Sequence, residues 1–101
     1  MIRHIVMWNY QDGLSTKENE ANARQVKQEL EALTSCISGI IELKVHINAL
    51  PSSNKDIMLD SLFASKEVLA AYQMHPEHQR VSAYVGSVLQ NRVCIDYCCQ
   101  V

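Results

Sequence analysis

The sequence predicts an α+β fold with elements in the order β-α-β-β-α-β, and three observations carry that prediction. Ser15 with Glu18 three residues later forms a capping box, opening a helix whose apolar residues recur at helical spacing. Residues 40–48 alternate between apolar and polar side chains, as a strand with one buried face does. His75-Pro76 splits the second helical stretch in two, because proline disfavours helical geometry in the residue before it.

In chain order, Ile2-Arg-His-Ile-Val-Met-Trp-Asn-Tyr10 is rich in β-formers and predicts the first strand, ended by the turn signal Asp12-Gly13. Neither face of it is fully polar, so both are expected to be covered at least in part. The helix from Ser15 carries Val26, Leu30, Leu33 and Ile37 on one side, with Gly39 as a left-handed stop. In the second strand Ile41, Leu43, Val45 and Ile47 share the apolar face. Pro51-Ser-Ser-Asn54 is a loop. The third strand, 56–64, sets Ile57, Leu59 and Phe63 opposite Met58, Asp60 and Leu62. Ser65 caps a short helix through Gln73, and Pro76 suits the first turn of a new one with Val81, Val85, Val88 and Leu89 inward. The last strand, 92–100, places Val93, Ile95, Tyr97 and Cys99 on one face.

This order is the ferredoxin-like arrangement: one four-stranded antiparallel sheet with its helices on a single face. Giving the cleaner apolar faces to the helices leaves a mixed set on the other, including Ile5, Met7, Met58, Leu62, Cys94, Asp96 and Cys98. Soluble monomers seldom expose such a patch, so two sheets are expected to pack face to face in a homodimer. Arg3 and Lys44 are candidates to pair across that contact with Glu42, Asp60 or Asp96.

A length of 101 residues fits one domain, 1–101, with one modest core. The net charge of −2 offers no electrostatic reason to expect nucleic acid or an anionic membrane as a partner. Apolar runs such as Ile5-Val-Met-Trp8 are too short to span a bilayer, and a cytoplasmic location is the expectation. Cys36, Cys94, Cys98 and Cys99 are read as small buried hydrophobes in reduced form.

Four stretches carry a resemblance. Ile2-Arg-His-Ile-Val-Met-Trp8, Asp56-Ile-Met-Leu59 with Phe63-Ala-Ser65, His75-Pro-Glu-His-Gln-Arg-Val81 and Arg92-Val-Cys-Ile-Asp-Tyr97 are similar to the stress-responsive A/B barrel domain family. The similarity covers essentially the whole chain and implies a dimeric α+β barrel. That family includes a plant polyketide cyclase that closes an aldol ring without a cofactor, stress-induced barrel proteins of chaperone-like stability, and many bacterial members. By position, the resemblance implies His4 for the cyclase's strand histidine, Tyr72 for its active-site tyrosine and His78 for its helical base. The cyclase's further pocket histidine, at the start of the third strand, is replaced here by Ile57.

His4, Tyr72 and His78 are therefore the candidate catalytic residues, expected to converge at one end of the space between sheet and helices. Trp8, Ile57, Leu59, Phe63 and His75 are the candidate pocket lining. Imidazole transfers protons near neutral pH, and a phenol can donate to a developing oxyanion. Each residue also has a plainer role: His4 satisfying a backbone carbonyl, Tyr72 a core aromatic with its hydroxyl at the surface, His75 a helix cap, Trp8 and Phe63 core. His46 reads as an interface or edge residue. No phosphate loop or dinucleotide fingerprint is present, and Pro76 disrupts His75-x-x-His78 as a metal motif, so neither cofactor nor metal is expected. Three functions fit: a cofactor-independent cyclase or isomerase acting on a small apolar carbonyl compound, a non-catalytic binder of a small hydrophobic metabolite, or a structural stress-response dimer.

Overall fold

A computed structural model describes residues 1–99. Its strands are β1 (Ile2–Tyr10), β2 (Ile40–His46), β3 (Ile57–Phe63) and β4 (Leu89–Cys98); its helices are α1 (Thr16–Glu31), α2 (Lys66–Met74) and α3 (Pro76–Val88). A 3₁₀ turn, Ala32–Ser35, extends α1. The sheet is antiparallel in the order β2-β3-β1-β4, the ferredoxin-like α+β fold.

Local chemistry sets the element ends. The Ser15 side chain accepts from the Glu18 amide at 3.1 Å and Glu18 Oε1 accepts from the Ser15 amide, so the capping box closes. Ser65 accepts from the Val68 amide at 3.1 Å and starts α2. Gly39 adopts φ 88°, and a Cβ there would lie 2.5 Å from a Val68 methyl, so both conformation and space require glycine. Lys27 donates to the Val45 carbonyl and Glu31 accepts from the Val45 amide, which lashes α1 to the edge strand β2. Val26, Leu30, Leu33, Val45, Leu59, Phe63, Val81 and Val85 fill the core between sheet and helices.

Two bulges change which side chains face that core. In β2, Ile40 lies opposite Phe63 while Glu42 lies opposite Leu62, so one extra residue intervenes. Ile40 therefore packs against the core and Ile41 is 46% exposed, contrary to the uninterrupted alternation expected over 41–47. In β4 the extra residue falls between Gln90 and Val93, where Asn91 takes a positive φ of 57°. The strand begins at Leu89, inside the stretch expected to be helical, and after the bulge its parity is reversed. His4 now lies opposite Asp96 and Val6 opposite Cys94, while Val93, Ile95 and Tyr97 join Ile5 and Met7 on the outer face. The face expected for each half of this strand is thus corrected: Cys94, Asp96 and Cys98 lie on the helix side. Gln100, the last residue of the expected strand, is outside the described residues.

The helical layer leaves β4 uncovered past Gln90. Cys94 and Cys98 are consequently exposed, as is Cys36, so these three are not the buried hydrophobes expected from composition. On the outer face, Arg3 pairs within its own sheet, with Asp60 at 3.0 Å and Glu42 at 3.4 Å. No helix among the described residues is long and apolar enough to cross a membrane.

Candidate functional site

The proline break positions the site. His75 is extended, its Nδ1 accepts from the Glu77 amide at 3.1 Å, and Pro76 follows as the first residue of α3. His75 is a cap and does not line the pocket. This extended residue separates the two helices and sets His78, in the first turn of α3, against the last turn of α2. There its Nδ1 lies 3.2 Å from the Gln73 carbonyl oxygen, and its ring centroid is 4.3 Å from that of Tyr72. A carbonyl only accepts, so Nδ1 carries the proton and Nε2 of neutral His78 is a free lone pair. Burial lowers the His78 pKa from its ordinary value; the Gln73 carbonyl opposes that, while His4, Arg92 and His75 reinforce it.

Tyr72 is completely buried, with its ring 4.8 Å from Phe63, and its hydroxyl has no hydrogen-bond partner among the described residues. It does not reach the surface as the core-aromatic alternative supposed. Burial raises its pKa far above the phenol's ordinary value. Phe63 in turn meets His4 edge-on at 6.1 Å, so His4, Phe63, Tyr72 and His78 form a continuous row of rings.

His4, only 2% exposed, answers to the Asp96 carboxylate through Nδ1 rather than to a backbone carbonyl. Cys94 Sγ stands 3.7 Å from both of these groups. One atom from each of His4, Cys94 and Asp96 lies within 4.8 Å of the others, the spacing a metal ion can span, whereas His75 and His78 form no such cluster. A hydrogen-bonded His–Asp pair with a neighbouring thiol accounts for the same geometry without an ion.

A pocket of about 210 Å³ opens between β1, β4 and α3. His4, Trp8, Leu59 and His78 line it, joined by Val6, Leu30, Val85 and Leu89. Tyr72 and Phe63 lie behind that wall. Ile57, expected in the lining, is a core residue paired with Trp8, and the space beside it is a separate depression with His46 and the 52–56 loop. Asp96 beside His4, and Gln73, Ser82, Gly86, Gln90, Asn91 and Arg92 in the lining, are polar or small site residues that sequence reasoning missed. Asp96 was hidden by the β4 bulge; the others sit on polar or small positions of amphipathic elements, where no sequence signal distinguishes a pocket rim from a solvated face.

No curated protein matches this chain in sequence. Among solved structures, a dimeric ferredoxin-like protein of unknown function from Bacteroides fragilis is 29% identical, superposes with a TM-score of 0.88, and is matched over 95% of this chain and 93% of that one. A dimeric ferredoxin-like protein from Thermobifida fusca is 24% identical with a TM-score of 0.79, over 95% and 88% of the two chains. The hydroxynitrile lyase of Passiflora edulis is 19% identical with a TM-score of 0.78, over 95% and 90%. The last two establish likeness of fold. Residues 2–99 match the stress responsive A/B barrel domain, Dabb, and this chain belongs to that family.

Proposed function

We propose that the protein is a homodimer whose pocket binds a small, mostly apolar carbonyl compound and moves a proton next to the carbonyl, in the manner of a cyclase, isomerase or lyase. The observation that carries this reading is the state of His78: it lines the pocket, its Nδ1 proton is tied to the Gln73 carbonyl, and its depressed pKa keeps Nε2 unprotonated at neutral pH. His4, braced by Asp96, is the second polar group on the apolar lining and orients the carbonyl. Hydroxynitrile lyase from Passiflora edulis supports this reading at the level of the fold alone. The dimer reading rests on the outer face, where Ile41, Val93, Ile95 and Tyr97 are each at least 45% exposed, and on the two bacterial neighbours described as dimeric.

Exchange of the carbonyl-adjacent protons of 4-phenylbutan-2-one in D₂O, followed by NMR, tests the chemistry directly. The wild-type protein accelerates exchange, and His78→Ala lowers the rate by about a hundredfold or more with the fold retained. A wild-type protein that binds the ketone without accelerating exchange is a binder. That second reading has one observation in its favour: Tyr72, the expected oxyanion donor, lies behind the pocket wall rather than on it.

A further inference from the structure

The rim of the pocket is electrostatically one-sided. Among the described residues Arg92 is the one permanent cation of its lining, which includes no aspartate or glutamate. Asp96, the nearest carboxylate of β4 on this side of the sheet, is engaged with His4. Among the described residues Arg92 enters no ion pair, and its charge acts on the Cys94 thiol two residues along β4. The other rim donors divide into two groups. Gln90 donates to the Tyr10 carbonyl at 2.9 Å and Asn91 to Asn9 Oδ1 at 3.2 Å, so both hold the β4 bulge against β1. Among the described residues the Ser82 hydroxyl and the Gln73 side-chain amide have no hydrogen-bond partner. An unopposed guanidinium, a hydroxyl and an amide thus ring the mouth of a cavity floored by Val6, Trp8, Leu59 and Val85.

We infer that the ligand of this pocket carries a carboxylate, held by Arg92 at the rim, with its apolar part on the floor and its carbonyl carbon within reach of His78. The guanidinium fork matches a carboxylate in two parallel hydrogen bonds, and a single cation balances a single negative charge. A phosphate ester, with nearly two charges, would find only half its charge answered here. Arg92 and His78 line the same pocket, so an anion held by the one shares that space with the base on the other. This inference rests on the pocket reading above and narrows its substrate class to small keto acids and their enolic or hydroxy relatives.

Calorimetric titration of the full chain with 3-phenylpropanoate and with the neutral 4-phenylbutan-2-one separates the two claims. The carboxylate binds at least about tenfold more tightly than the ketone, and added salt narrows that margin. Arg92→Gln removes the margin through a loss of carboxylate affinity; Arg92→Lys recovers only part of it. Equal affinity for the two probes in the wild type, or a margin that survives Arg92→Gln, overturns the carboxylate assignment and leaves the pocket standing. Tighter binding of phenyl phosphate than of the carboxylate also overturns it. If neither organic probe binds, the pocket reading falls and takes this inference with it.

Discussion

The imidazole of His78 and the phenol of Tyr72 lie with ring centroids 4.3 Å apart, tilted by 53°, on either side of the proline break. One ring lines the pocket and the other is sealed behind it with an unpartnered hydroxyl. The pair therefore joins a reactive surface to a costly interior, and the two halves respond differently to substitution.

Tyr72→Phe deletes the sealed hydroxyl and keeps the ring. An orphaned buried hydroxyl costs about 1–3 kcal/mol, so urea denaturation is expected to show an unchanged or higher midpoint for the variant. A clear loss of stability would mean that the hydroxyl is satisfied in solution.

Acid should act through His78. Its folded-state pKa lies below the ordinary value of about 6.5, so the unfolded chain binds more protons in the window between the two. Its contribution to stability is complete above the unfolded pKa and declines as pH falls through the folded one. Histidine-selective NMR should place the His78 midpoint below those of exposed histidines. His78→Gln should flatten the fall in stability between neutral and mildly acidic pH.

Gly86 lines the pocket on α3, and a Cβ built there meets nothing within 4 Å. Gly86→Ala should raise stability by about 0.5–1 kcal/mol, through lower chain entropy in the unfolded state. Gly86→Leu extends further into the cavity and should abolish ketone binding while the thermal midpoint holds. Undiminished binding would show that the ligand sits elsewhere.

At Gly39 the sign is opposite. Gly39→Ala places a methyl 2.5 Å from Val68 and a side chain in the left-handed region, which alone costs about 1–2 kcal/mol. Val68→Ala in the same chain should relieve the clash but not the backbone strain. A double-mutant cycle in urea measures the coupling.

Ile95, 58% exposed at the centre of the outer face of β4, tests the proposed dimer. Ile95→Lys should shift sedimentation to the monomer at micromolar concentration and leave the circular dichroism spectrum intact. A dimer that persists would assign the contact to another surface.

Much of this arrangement was legible in the sequence. The capping box, Gly39, the Ser65 cap and the His75-Pro76 break each act through local backbone chemistry, and each is found where the residues placed it. Of the three groups expected to converge, His4 and His78 line one pocket and Tyr72 lies behind its wall. The β4 assignment failed for a definite reason: alternation tells which side chains share a face, not which face it is. Val93, Ile95 and Tyr97 alternate cleanly, but the outer face of this sheet also carries apolar residues such as Ile5 and Met7, so the pattern fits either side. The deciding feature is a one-residue bulge at Asn91, and asparagine at positive φ leaves no mark distinguishable from an ordinary polar strand residue.

Because that bulge lies in the outermost strand, the support for His4 hangs on the sheet's rim: Asp96 belongs to β4, which has a neighbour on one side only and little helical cover beyond Gln90. Rims fray before centres. In a lone protomer, gentle warming should detach the carboxylate and strand the imidazole while the remaining three strands and their helices still hold, so the endurance of the site depends on whatever covers the outer face of β4.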